Sequence, residues 1–333
     1  MDDTAEWLAR TVEAPIEPER PIVDPHHHLW DRPGNRYTVD ELRADTAAGH
    51  HIVATVFVEC AAGYRPDGPE QLRPVGETEF VAAQAAIAAE RGDPPIAGIV
   101  GFADLTLGDA VDEVLAAHIE AGGGLFRGIR HAAGWHADPA IKNSHSDPTE
   151  HLLSEPGFRR GFARLAAHGL RFDSWLYHPQ LPELVDLCRS HPEVPVICDH
   201  IGAPMGIGPY AGRWDDVDAQ WRPAMTALAG CENVTLKVGG IGMDRYYGGG
   251  WPDRPAPPSS EELAAVWGDR LRFCIDTFGP DRCMFESNFP VDRESCNYVV
   301  LWNTYERIAQ HYDPAEQQAM FHDTAVRVYD LTW

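Results

Sequence analysis

The residues best placed to do chemistry lie in Pro21-Ile22-Val23-Asp24-Pro25-His26-His27-His28-Leu29-Trp30-Asp31. The stretch starts as an apolar strand and ends in imidazoles. Side chains alternate faces along a strand, so residues two apart share one. Regular alternation puts Asp24, His26 and His28 on one face and His27 on the other. Two imidazoles with a carboxylate behind them are half of a metal site, because neutral imidazole is the commonest protein ligand for zinc. The plainer reading is a polar strand end with solvated histidines. The His-x-His spacing directly after an apolar start favours ligands.

Further polar residues stand at the ends of other β-branched runs. Glu59 closes Val53–Val58, and Arg127 and Arg130 lie in Leu125–Arg130, with His131 next. An arginine fork suits a carboxylate, which makes Arg130 a substrate anchor. Arg127 and Arg130 differ in parity, so a regular strand turns only one of them inward. His178 follows Leu170–Tyr177, His200 ends Val194–Asp199, and Lys237 sits within Asn233–Val238. Glu286 and Asn288 share a face at the end of Cys283–Ser287, with Asp292 just beyond. One polar strand end is ordinary. Histidines ending the first, fifth and sixth runs together point to a site.

These positions presuppose a scaffold. With Ile22–Asp24 and Ile96–Phe102, the β-branched runs number eight. Helix-like stretches alternate with them: Glu77–Arg91, Asp109–Ala121, Gly157–Ala167, Pro182–His191, Asp216–Ala229, Glu261–Phe278, Asn297–His311 and Pro314–Tyr329. Ser259-Ser260-Glu261-Glu262 is a helix start, with hydroxyl caps and acids in the first turn. Eightfold alternation predicts a single α/β domain, a (β/α)8 TIM barrel over residues 21–333, behind an N-terminal arm of residues 1–20. The competing doubly wound sheet would carry a Gly-rich phosphate loop after its first strand, where this chain has histidines. Two Gly- and Pro-rich loops follow strands, Cys60–Val75 and Gly239–Pro258. In a barrel both lie over the catalytic face, and the second, with Tyr246, Tyr247 and Trp251, has the makings of a substrate lid.

Composition narrows the partners. The chain has 333 residues, 44% of them hydrophobic, with 27 basic and 51 acidic side chains and a net charge of −24. Such a surface repels phosphate backbones and anionic lipid, so neither nucleic acid nor membrane is expected. An anionic substrate would need a local basic pocket. Seven scattered cysteines without a C-x-x-C pair, and no signal peptide, predict a cytoplasmic protein with reduced thiols.

Val23-Asp24-Pro25-His26-His27-His28-Leu29-Trp30, Phe126-Arg127-Gly128-Ile129-Arg130 and Pro179-Gln180-Leu181-Pro182-Glu183-Leu184 resemble motifs of the amidohydrolase superfamily. So do Asp199-His200-Ile201-Gly202, Lys237-Val238-Gly239-Gly240 and Phe321-His322-Asp323-Thr324-Ala325. The likeness runs from Pro21 to Leu331 and is to family 2, which includes lactonases for sugar lactones and pyrone dicarboxylate. It implies a barrel that hydrolyses a small carboxylate-bearing lactone, ester or amide with one divalent ion, zinc by preference. Some lactonase-like relatives work without metal. Under the resemblance His26 and His28 are the strand-one ligand pair, His200 is the strand-six histidine and His178 stands near the strand-five ligand. Arg130 matches the arginine that takes the substrate carboxylate. Arg127, Lys237, Glu59 and Trp30 are expected beside it. The likeness also suggests a homodimer. The departure is at strand eight, where the family reads Asp and this chain has Asn288. An amide cannot take a proton from water. Glu286 is therefore expected as the base with His200, and Asn288 as a substrate-orienting residue. Asp292 and Glu59 are alternatives, and Glu286 could equally be a structural acid paired with Lys237. A decarboxylase of the same family, or a binding protein that has lost its base, are the competing functions.

Overall fold

Eight short runs of branched and aromatic residues pair in parallel, and the helices between them carry the chain back. The computed structural model describes residues 3–333. The barrel strands are β1 (Pro21–His27), β2 (His51–Val58), β3 (Ile96–Gly101), β4 (Phe126–Arg130), β5 (Arg171–Ser174), β6 (Val196–Cys198), β7 (Val234–Gly239) and β8 (Cys283–Glu286). They neighbour one another in sequence order. Beyond β8 the chain returns to β1 through a parallel bridge between His27 and Phe289. His28 N donates to Phe289 O at 2.7 Å and Asn288 N to His26 O at 2.8 Å. These bonds draw the ends of β1 and β8 together at the end where the histidines lie.

The outward faces of the strands pack against the helices in one large apolar core. The lower interior is a separate cluster of Val23, Ala54, Val56, Val100, Ile197 and Met284, capped from below by Tyr329 and Leu331. Parity fails once in β1. The pairing of β1 with β2 shifts between Asp24 and His27. Asp24 is consequently turned away from His26 and His28. It accepts from Ser287 N at 3.0 Å and from the Tyr298 hydroxyl at 2.9 Å, and so ties β1 to β8 and to the helix Tyr298–Ala309.

Three elements were not read from the sequence: a ribbon of Trp30–Arg32 against Asn35–Tyr37, the helix Val39–Thr46, and a short helix Asp244–Tyr247 inside the glycine-rich loop. The expected cap at Ser259 is present, with its side chain accepting from Glu262 N. The last helical stretch is broken by a wide turn at Ala319–Asp323 that buries Phe321. The arm is strapped down. Its helix Asp3–Leu8 sends Trp7 Nε1 to Arg254 O at 2.8 Å, and Arg10 and Thr11 bond the carbonyls of Pro255 and Pro257. Asn303 holds the arm further along through Ala14 O and Ile16 N, both at 2.9 Å. No helix among the described residues is long and apolar enough to cross a membrane.

Candidate active site

The ends of the strands open into a cavity of about 1530 Å³. Its inner wall carries His28, Arg130, Trp175, His200 and Asn288, with Trp30, His145 and Tyr246 at the sides. Three polar chains stand behind that wall.

The first ends in His200. The chain leaves β6 through left-handed backbone, with φ of 53° at His200, 50° at Ile201 and 41° at Ala203. Such conformations cost non-glycine residues energy and collect at functional sites. The turn brings His200 Nδ1 to 2.7 Å from Glu286 Oε1, and the backbone N–H of His200 donates to the same oxygen at 3.2 Å. Two glycines after Lys237 make the room. A Cβ on Gly240 would fall 2.3 Å from His200 Nδ1, and one on Gly239 would fall 2.4 Å from Glu286 Cγ. Burial lowers the His200 imidazole to about 3, so it is neutral at ordinary pH. With Nδ1–H given to Glu286, its Nε2 is bare on the cavity side. Burial raises the Glu286 carboxyl, against the pull of the Lys237 ammonium.

The second chain runs beneath. Lys237 donates to Asp173 Oδ2 at 2.6 Å and lies 3.1 Å from Asp199 Oδ1. Tyr329 reaches up from the floor to the same Asp173 oxygen at 2.6 Å. His26 lies over this layer. Its Nδ1 is 2.7 Å from Glu286 Oε2 and 3.2 Å from Lys237 Nζ, while its Nε2 is 3.3 Å from Arg130 Nη1.

The third chain joins β1 to the end of β8. His28 Nδ1 lies 2.7 Å from Val58 O, which accepts only, so Nε2 carries no proton. Burial lowers His28 to about 3 and excludes the doubly protonated form. Asn288 faces that Nε2 at 3.1 Å on one side and Asp292 Oδ1 at 2.7 Å on the other. The protons close when the amide N–H₂ is turned to His28 and Asp292 carries a proton on Asn288's other side. Burial does hold Asp292 well above the usual carboxylate range.

Several expected site residues are placed elsewhere. Glu286 and Lys237 are fully buried and do not reach the cavity: Glu286 stands behind His200, and Lys237 one layer lower. Lys237 pairs with Asp173 and Asp199, where Glu286 had been the expected structural partner. Glu59 is also buried, accepting from Arg130 Nε at 2.7 Å and facing His145 Nε2 at 2.8 Å. The fork of Arg130 is thus engaged with Glu59, by Nε to the carboxylate and by Nη2 to the backbone carbonyl, rather than left open for a substrate carboxylate. Arg127 is at the far end of β4, bonding Gly124 O, with its stem near Leu331. It stands three residues before Arg130, toward the opposite end of the strand. His178 is outside the site. β5 ends at Ser174, and the chain turns so that Trp175 faces His200 at 4.9 Å while His178 packs on Tyr210 at 4.8 Å. His145, Asp173 and Trp175 were not singled out from the sequence. Asp173 and Trp175 share parity, a usable signal. His145 lies in a stretch without apolar period and offered none.

Among the described residues, the groups able to hold an ion are His26, His200 and Glu286, whose ligand atoms lie within 4.8 Å of one another. The donor types suit zinc. Their surroundings do not. Each ring nitrogen that faces Glu286 does so at hydrogen-bond distance, and both nitrogens of His26 face a fixed cation, Lys237 or Arg130. A divalent ion at about 2.0–2.1 Å from His26 would stand against those charges. As arranged, the triad does not fit a resident ion. His28, bonded to Val58 and Asn288, lies outside the triad, as does His178.

Residues 23–331 match the family model described as amidohydrolase. The chain is 32% identical to an uncharacterised protein, y4mH, of Sinorhizobium fredii, over 92% of this chain and 98% of that one. It is 26% identical to an L-fucono-1,5-lactonase of Burkholderia multivorans, over 93% and 96%. A crystal structure of an amidohydrolase from Burkholderia multivorans with bound zinc superimposes with a TM-score of 0.72 at 26% identity, covering 93% of this chain and 99% of that one.

Proposed function

The chain belongs to the amidohydrolase family and is a hydrolase, and from that premise we propose that it opens a small lactone or ester bearing a carboxylate. The observation that carries this is the Glu286–His200 pair at the closed end of a basic cavity. A neutral imidazole whose far nitrogen is fixed by a carboxyl is the arrangement that takes a proton from water. His200 Nε2 receives the proton as the water oxygen bonds the carbonyl carbon. Glu286, raised while His200 is lowered, shares that proton through Nδ1. Arg130, fixed by Glu59 and set in the wall, faces the oxyanion with positive charge that needs no reorientation. Asn288, in the cavity wall, also holds His28 in place. The cavity lining carries Arg32, Arg36, Arg130, Lys142, Arg245 and Arg293 against Asp244 and Glu294, which favours an anion in a protein of net charge −24.

A zinc-like ion is the second reading, supported by the zinc-bound relative and by the donor types of the triad. The test is turnover of five- and six-membered lactones, with and without a carboxylate, before and after exhaustive chelation, alongside elemental analysis. Expected are turnover of the anionic lactones and its survival after chelation. His200→Asn and Glu286→Gln should each lower kcat by about 10²–10⁴ with KM little changed. Turnover lost with the metal and restored by it establishes the second reading. Near-normal kcat in folded His200→Asn sinks the proposed base.

A further inference from the structure

Opening an ester leaves an alkoxide, and nothing in the scheme above gives it a proton. We propose that His145, held by Glu59, is the general acid that protonates the departing oxygen. The inference rests on the ester-opening reading and extends it to the second half of the reaction.

The geometry is that of an acid on the opposite footing to His200. His145 lines the cavity, and its side chain is 37% exposed, where His26, His28 and His200 are nearly or wholly buried. Its Nε2 is 2.8 Å from Glu59 Oε2, and the other oxygen of that carboxylate accepts from Arg130 Nε at 2.7 Å. One buried carboxylate therefore positions both the cation that faces the oxyanion and the imidazole beside it. With Nε2–H given to Glu59, Nδ1–H is left for a substrate oxygen. His145 is also presented by a fixed backbone. Ser144 N donates to Gly134 O at 2.8 Å, Ser144 and Ser146 bond through their hydroxyls, and Ser146 bonds Ala132 O.

The charges around it agree. Glu59 and Glu77 favour the imidazolium, burial and Arg130 oppose it, His131 is the neighbouring imidazole, and the net effect raises His145 above its ordinary value. Two histidines thus face one cavity with their imidazoles shifted in opposite directions, the pattern expected of an acid–base pair. The electrons balance. The acyl carbon–oxygen bond breaks with its pair on the leaving oxygen, the proton on His145 Nδ1 passes to that oxygen, and the proton His200 took from water replaces it. The sum is addition of one water.

The experiment compares two substrates of the same acid, an alkyl ester or lactone and a nitrophenyl ester whose leaving group needs no proton. In His145→Gln the alkyl kcat should fall by about 10²-fold or more, while nitrophenyl turnover stays near that of the wild type and serves as the check on folding. The wild-type alkyl profile should fall at high pH as His145 loses its proton, and the nitrophenyl profile should lack that limb. Equal losses on both substrates, or alkyl turnover unaffected in His145→Gln or His145→Asn, overturn the general acid and leave the hydrolase reading standing. Wild-type protein that opens no ester or lactone of either kind overturns both.

Discussion

At position 288 one side chain meets a backbone demand and a proton demand together. Its φ is 53°, a left-handed conformation that Asn and Asp tolerate better than other side chains. Its amide links His28 to Asp292. Asn288→Asp keeps the conformation but loses the amide N–H₂ turned to His28, so it should cost about 0.5–1.5 kcal/mol. Asn288→Ala loses both and should cost about 1–3 kcal/mol from the strained conformation alone, measured by urea unfolding. Equal stabilities for the two variants would mean that the backbone demand does not matter. The sequence showed Asn in the Asp place but not its partner, because Asp292 was visible only as one acid among several nearby. Likewise Glu286 was legible as a buried inward-facing acid. That it stands behind His200 depends on the left-handed turn after β6, and no residue pattern announces that turn.

At the scale of elements, the strands and their order were plain from the apolar runs, since a parallel strand buried on both faces reads as a continuous run. The ribbon at Trp30–Tyr37 was hidden because three-residue strands carry too little pattern. Asp24 was misplaced because alternation assumes a regular ladder, and β1 is irregular between Asp24 and His27. The loop expected as a lid is held at its far end by the arm, through Trp7, Arg10 and Thr11. Trp7→Ala removes one of these bonds, worth about 0.5–1.5 kcal/mol. The expected result is faster amide exchange across residues 244–258 and a higher KM, with the global melting temperature little changed. Unchanged exchange there would show that the arm does not restrain the loop.

The whole molecule stores its acid sensitivity in buried imidazoles. His26, His27, His28, His50, His118, His131, His178 and His200 are all lowered, His118, His131 and His178 to about 4 and His27, His28 and His200 to about 3. Below an unfolded value of about 6.5 the unfolded chain binds protons that the folded chain refuses. The stability these groups contribute is present above that pH and is lost as pH falls toward 4 and 3. Glu77 and Glu306, raised to about 7, act oppositely, as do Asp24, Asp45, Asp173, Glu286 and Asp292, raised by burial, and His145 and His151, raised by neighbouring carboxylates: each holds a proton in the folded state that the unfolded state releases. Removing one lowered histidine isolates its share: the urea midpoint of His118→Gln should fall less between pH 6.5 and pH 5 (about the unfolded His and Glu ranges) than that of the parent. A pH dependence equal to the parent's would mean that His118 contributes nothing to the acid sensitivity. Thr4 and Trp7 line the mouth, whereas Leu331 is packed under the floor and Trp333 is exposed beyond it. The described residues therefore begin at the entrance and finish on the opposite side of the barrel. Anchored to a bead or an electrode through its last residues, the protein would present an open entrance to the flow. Anchored through its first, it would press its own doorway against the support.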